Sequence, residues 1–174
     1  MSIYQLGEWS PTIGDSTFIA DSADLIGRAK IGNHASLWFG VVARADVNTI
    51  EIGDHTNIQD QSMLHVSGEH PLKIGSQVTL GHKVTAHGCT IGDHCLIGMG
   101  AIILDGAEIG ENSLVAAGSL IPPGKKFPPR SFIMGSPAKL IRELLPAEIE
   151  QYGNHYKVYL EEKNHYLKKL KRLL

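Results

Sequence analysis

Ile91-Gly92-Asp93-His94-Cys95-Leu96-Ile97-Gly98-Met99-Gly100-Ala101-Ile102-Ile103-Leu104-Asp105-Gly106-Ala107-Glu108-Ile109 places isoleucine at every sixth residue. Outward from this stretch the beat runs on through Val115 and Ile121. Toward the N-terminus it passes through Leu80 and Ile74, then Leu64, Ile58 and Ile52, then Leu37, Ile31, Leu25, Ile19 and Ile13. A fixed short period signifies a stacked, quasi-one-dimensional fold. Position five of the unit is usually small: Thr17, Ala23, Ala29, Ala35, Thr56, Ser62, Cys95, Ala101, Ala107, Ser113 and Ser119. One large and one small inward residue per strand suit a narrow, packed tube. Six residues are too few for a helix pair, and a period of six cannot sustain a 3.6-residue stripe. The expected fold is an all-β solenoid of short strands wound as a parallel β-helix.

This pattern resembles the left-handed β-helix of hexapeptide-repeat proteins, in which three units make one triangular coil; the handedness is implied by the resemblance alone. Three breaks interrupt the rhythm. Three extra residues lie between Ala43 and Ile52, four lie between Leu64 and Ile74, and one is missing between Ala86 and Ile91. If the insertions bulge outward, position two sorts cleanly by face. One face reads Gly14, Gly32, Gly53, Gly75, Gly92 and Gly110. A second reads Ile26, Arg44, His65, His87, Leu104 and Pro122. The third reads Ala20, Trp38, Gln59, Gly81, Gly98 and Ala116. The glycine face continues with short polar residues, which reads as turn chemistry. Ile26, Trp38 and Leu104 are expected to point outward and to mark an interface.

The chain has 174 residues, enough for one core and an appendage. A formal charge of -2 gives no reason to expect nucleic acid or an anionic membrane as partner. No apolar run is long enough to span a bilayer and no signal-peptide hydrophobic region opens the chain, so a cytoplasmic protein is expected. Two cysteines, Cys89 and Cys95, do not make a disulfide framework. The β-helix is expected over residues 1–140 and a helical segment packing on it over 141–174. Pro146 suits a first helical turn, and Glu148 and Glu150 suit its positive end. Ile149, Tyr152, Tyr156, Leu160, Leu167, Leu170 and Leu174 recur at helical spacing, with Gly153 as a point of breakage.

Of nine histidines, three stand apart. His65 and His87 hold position two of one face, three units apart, so their rings should stack about one strand spacing (~4.8 Å) from each other. That suits two imidazoles reaching one zinc through bonds of about 2.0–2.1 Å. His82 is at position three of the third face and points around a corner. In a cyclic trimer, that face of one subunit can press on the histidine face of the next and supply the third ligand. Arg44 precedes His65 by one coil and Asp60 precedes His82 by one coil, so the same join would pair Arg44 with Asp60. His34 and His55 also lie one coil apart on the glycine face, but no third ligand is near them, and they read as exposed turn residues.

Arg44-Ala45-Asp46, Asn57-Ile58-Gln59-Asp60, His65 and Gly81-His82-Lys83-Val84-Thr85-Ala86-His87-Gly88-Cys89 resemble the signature of gamma-class carbonic anhydrases and their bacterial relatives. Ile97-Gly98-Met99-Gly100-Ala101 and Met134-Gly135-Ser136-Pro137-Ala138-Lys139 resemble the same group. The resemblance implies a homotrimer that shares zinc, or iron or cobalt, among His65, His82 and His87. It implies reversible hydration of CO2 to bicarbonate by hydroxide on the ion, with Gln59 holding that oxygen or the substrate. It also implies Arg44–Asp60 as the intersubunit pair, and Tyr156 as the tyrosine brought by the C-terminal helix. The resemblance breaks at the proton route. Val47 stands where the family pattern has an acidic residue, and the loop after His65 is only Ser67-Gly68-Glu69-His70-Pro71, leaving Glu69 and His70 as substitutes.

Two other function classes compete with the hydratase. Hexapeptide-repeat acyltransferases use one histidine base and bind acyl-coenzyme A between subunits, and relatives are linked to thioesterase action; three co-registered histidines exceed what a single base needs. A trimeric metal-binding scaffold without efficient turnover would keep the ion and lose the proton route.

Overall fold

In the computed structural model, which describes residues 2–173, successive coils are joined by backbone hydrogen bonds from one strand to the strand beneath. On the glycine face Gly32 donates to Ile52, Gly53 to Ile74, Gly75 to Ile91 and Gly92 to Ile109, each at 2.8 Å. The pairing is parallel throughout the tube, and the molecule is a left-handed parallel β-helix. Only the last strand, Ala138–Glu143, turns back antiparallel on Ser131–Gly135. Residues 141–143 belong to that strand, so the helical part of the C-terminal segment starts at Pro146.

The register expected from the hexads holds through all three breaks. Ile31, Ile52, Ile74, Ile91 and Ile109 pair in sequence on one face. Leu25, Ala43, Leu64, Ala86 and Ile103 do so on the second. Leu37, Ile58, Leu80, Ile97 and Val115 form the third column. The first insertion is absorbed as a bulge: Gly27 pairs with Ala45 and Ala29 with Ile50, leaving 46–49 outside the ladder. Position-one residues from Leu25 to Ile121 are buried, and the small position-five residues fill the gaps between them. Each such aliphatic side chain contributes about 1.5–3 kcal/mol through removal from water.

The glycine column needs a different explanation from turn chemistry. These glycines do not have positive φ; the left-handed residue is two positions later, at Ser16, His34, His55, Gln77, His94 and Asn112. Histidine and asparagine are among the side chains that tolerate this region. What excludes a Cβ at position two is the next coil. The polar side chain at position three folds over the glycine and accepts a backbone N–H, as Asp54 Oδ1 does from Asn33 at 2.7 Å and Asp93 Oδ1 from Ser76 at 2.8 Å. A Cβ on Gly14, Gly32, Gly53 or Gly92 would lie 2.6 Å from backbone atoms of the coil below.

Helix α1 (Pro146–Gly153) and helix α2 (Tyr156–Lys169) lie along the tube, with the break after Gly153. Glu148 accepts the Leu145 N–H at 2.8 Å, and the Arg142 fork bonds both its oxygens. The Arg142 hydrogen bond, and after it the Leu145 N–H, pull the Glu148 carboxyl down to about 2. The buried stripe of α2 is Tyr156, Tyr159, Lys163 and Tyr166 rather than the leucines: Leu167 and Leu170 are exposed, and Leu174 lies outside the described residues. Tyr159 and Tyr166 set their rings 5.7 and 5.0 Å from Trp38. Trp38 is therefore covered by the chain's own helix and is not free for an interface, while Ile26 and Leu104 are half-buried. Lys163 is fully buried with its ammonium on Ser16 O at 2.7 Å, a tie from α2 to the first coils.

Gly53→Ala should cost about 2 kcal/mol in urea unfolding, because the added methyl meets backbone and not a yielding side chain. Gly68→Ala, with nothing within 4 Å of the new Cβ, should change stability by less than about 0.5 kcal/mol.

Candidate metal centre

His65 and His87 are direct neighbours in the ladder, with Arg44 above His65 in the same column. The two ring centroids are 4.8 Å apart, one strand spacing. Period two within a strand sends both rings outward while Leu64 and Ala86 point into the core. His65 Nδ1 and His87 Nε2 face each other at 2.9 Å.

The outer nitrogen of each ring meets a carboxylate. His65 Nε2 is 3.0 Å from Asp46 Oδ1, and His87 Nδ1 is 2.5 Å from Asp105 Oδ1. On the third face His82 Nδ1 is 3.0 Å from Asp60 Oδ2. A carboxylate accepts from a ring N–H, so each acid holds its ring by the outer nitrogen and leaves the inner one available to an ion once the His65–His87 contact opens. Histidines that bind metals are held in this manner, through the ring nitrogen that does not touch the ion. Two ligands on one tetrahedral ion at about 2.05 Å stand about 3.3 Å apart. The facing pair would therefore need to open by about 0.4 Å to admit one. The donor set, imidazole nitrogens on rings held from behind by carboxylates, fits a divalent transition metal.

His82 does not join the other two. Among the described residues no three His, Cys, Asp or Glu side chains of this one chain converge on a point. His82 stands on the neighbouring face, half-exposed, beside the exposed Met99. Arg44 is bonded to Asp46 within the chain, and Asp60 to His82, so neither is paired with the other here. Burial would raise the Asp46 carboxyl, but hydrogen bonds from His65, the backbone and Arg44 outweigh it and hold the group below the ordinary value.

Gln59 is buried with its amide donating to Asn57 Oδ1 at 3.3 Å, and Asn57 donates to Thr79 Oγ1 at 2.8 Å. The tyrosine hydrogen-bonded to Gln59 is Tyr159. Tyr156 instead stacks on His55, 6.3 Å away on the glycine-face corner. Burial first, and then the Asp60 charge, push the Tyr159 phenol up, so it stays protonated at neutral pH. Gln59, His82 and Tyr159 line one cavity of about 290 Å³ with Thr79, His155 and an apolar wall that includes Leu96, Met99 and Leu114. His34 and His55 pair on the glycine face with rings 5.1 Å apart and no carboxylate on either.

Asp105, Asp46 and Tyr159 carry contacts that the hexad reading did not assign. The signal was present for the two acids: one precedes the His65–His87 pair by a coil and the other follows it by a coil. The cysteine nearest the site, Cys89, is not among the donors. It turns into the core, and burial pushes its thiol, like that of Cys95, up to about 12.

Comparisons with known proteins agree on the architecture and narrow the family. The model of bacterial transferase hexapeptide repeats (six repeats) matches residues 88–123. A protein named carbonic anhydrase from Geobacillus kaustophilus is 45% identical over 164 residues, covering 94% of this chain and 90% of that one. Gamma carbonic anhydrase 1, mitochondrial, of Arabidopsis thaliana is 47% identical over 90 residues, 48% of this chain. The match spans about a third of the length of such plant relatives. The crystal structure of a putative acetyltransferase from Bacillus cereus superposes with a TM-score of 0.94 at 44% identity, covering 96% of this chain and 97% of that one.

Neither thiol should react with a colorimetric disulfide reagent at pH 8 in the native protein, and both should react on addition of denaturant. Rapid native-state labelling at Cys89 would contradict the burial described above.

Proposed function

The chain belongs to the gamma-class carbonic anhydrase-like family of hexapeptide-repeat proteins, and from that premise we propose that it is a metal-dependent carbonic anhydrase. Its reaction is CO2 + H2O to bicarbonate and a proton, at a site shared between subunits of a homotrimer. His65 and His87 of one subunit and His82 of the next would hold the ion, and zinc fits three neutral nitrogen donors best. The observation that carries this reading is the carboxylate on every one of the three rings, which holds each ring by one nitrogen and leaves the other for an ion.

When bound, the ion supplies Lewis acidity that brings a water ligand's pKa toward 7, from about 15.7 in bulk. The chain's own residues do the rest. Asp46 and Asp105 keep the two rings aimed, each from the nitrogen that faces away from the other ring. Gln59 is anchored by Asn57 and Tyr159, and one of its amide groups orients the reacting oxygen or the bicarbonate product. The role expected of Tyr156 passes to Tyr159, which bonds Gln59. The apolar wall of Leu96, Met99 and Leu114 suits CO2, which carries no charge.

The trimer is supported by the unfinished ligand set and by the surface around it. Met63 and Ile102 flank the histidine column and are 42% and 39% exposed, while Met99 beside His82 is 61% exposed. Methionine is enriched where proteins meet, and a head-to-tail contact that repeats three times closes into a ring. Asp60 holds His82 through Oδ2, which leaves Oδ1 for an Arg44 guanidinium across the join. An acyltransferase reading needs one histidine base and leaves the other two carboxylate-held rings without a task.

His65→Ala and His82→Ala should each abolish CO2 hydration. Mixed in equal amounts with subunit exchange, they should recover about a quarter of the wild-type activity, since each mixed ring rebuilds one site. Exchange shown by mass spectrometry with no recovery would mean that the ligands are not shared.

A further inference from the structure

Hydration releases a proton that must leave the site, and the groups nearest in sequence are badly placed for it. Val47 cannot titrate. Glu69 points to solvent. The loop that carries His70 is pinned by Asn48, which donates to Ser67 O and Gly68 O at 3.1 and 3.2 Å, and by the His70 N–H on Ser67 Oγ at 3.2 Å. So held, His70 packs at the corner, its Cβ against Gly88 and its ring against Gly106.

The cavity on the third face has another imidazole. His155 precedes helix α2, at the break that Gly153 makes, and its ring forms part of the wall that also contains Gln59, His82 and Tyr159. Its Nδ1 is 3.4 Å from Thr79 Oγ1, the hydroxyl that already accepts from Asn57 and so belongs to the network anchoring Gln59. We propose that His155 is the proton-transfer residue of this site: it takes up the proton released when water adds to CO2 and passes it to buffer. The inference rests on the hydratase reading and adds to it the route by which the proton leaves.

Geometry supports this in three ways. A cavity of about 290 Å³ holds several waters at roughly 30 Å³ each, enough for a hydrogen-bonded path between the site and the imidazole. His155 is half-buried and lines the cavity, so its ring is in reach of the cavity and is not sealed from solvent. Burial lowers its pKa below the ordinary 6.5, so the ring is neutral and able to accept at pH 7. The titratable groups around it are Tyr159 on its own helix with the ring 5.8 Å away, His82 with Asp60 across the cavity, and His94 packed at Gly153. Tyr159 is held protonated and His82 is committed to Asp60, which leaves His155 as the proton acceptor of the cavity. The balance is simple: one O–H bond of water breaks, one C–O bond forms as a C=O π pair of CO2 moves onto its oxygen, and the proton moves to an imidazole nitrogen and then to buffer base.

The test uses the full-length, metal-loaded protein with His155→Ala and His155→Gln. Glutamine can still bond Thr79 but cannot titrate, so it restores a structural role and not a proton-transfer one. At low buffer, kcat for CO2 hydration should fall about tenfold to a hundredfold in both variants, with kcat/KM within about twofold of wild type. Added imidazole should restore kcat. Oxygen-18 exchange between CO2 and bicarbonate should persist while release of labelled water slows. Wild-type kcat in the Gln variant, or a joint fall of kcat and kcat/KM that imidazole does not rescue, would overturn the proposal. An inactive wild-type protein would instead remove the hydratase reading, and this route with it.

Discussion

The backbone hydrogen bond from each coil to the next sets the height of every side chain in this molecule. Position two of the glycine face donates to the coil below at 2.8 Å, coil after coil, and the other faces follow the same spacing. Because three units return to the same face, a residue eighteen positions away, or more where a loop bulges, sits directly beneath. His65 and His87 face each other for this reason alone. They are twenty-two residues apart, and nothing local brings them together. A single unit miscounted at the Leu64–Ile74 loop would move His65 to another face and dissolve the pair.

That spacing also explains why the corner on the glycine face is built as it is. The tube closes only if one coil's polar side chain can fold over the next coil's backbone, and glycine makes the room. The strain of the corner falls two residues later, on His34, His55, Gln77 and His94. His34 and His55 set their rings 5.1 Å apart, about as close as His65 and His87, but among the described residues no acid holds either ring. Stacking is therefore common in this fold and is a weak sign of a metal. The carboxylate on the outer nitrogen is what separates the candidate centre from the decorative ladder.

Most of the tube was legible because a period of six has few physical solutions, and the sorting of glycine and histidine by face checked the count internally. Ligand candidates were legible for the same reason. The legibility ended where residues met across elements with no shared period. Trp38 reads as an outward apolar residue until a helix more than a hundred residues later lays Tyr159 and Tyr166 on it. Lys163 reads as a surface lysine, yet it is buried with its ammonium on a first-coil carbonyl, and Leu167 and Leu170, which look like part of the helix's buried stripe, face water. The same blind spot exchanged Tyr156 for Tyr159. Helical spacing gives a face but not its rotation, and the aromatic cluster around Trp38 decides that rotation. Asp105 was missed because its partner, His87, lies in the preceding coil and the repeat pattern assigns position three no task.

The centre is incomplete in one chain: two imidazoles converge on this subunit and the third waits on a different face. The most direct measurement is an anomalous-difference map from crystals of the metal-loaded assembly. The account predicts one peak per chain, between His65 Nδ1 and His87 Nε2 and in contact with His82 of an adjacent subunit. A peak bound wholly within one chain, at the His34–His55 corner, or absent from a protein that remains a monomer would contradict it.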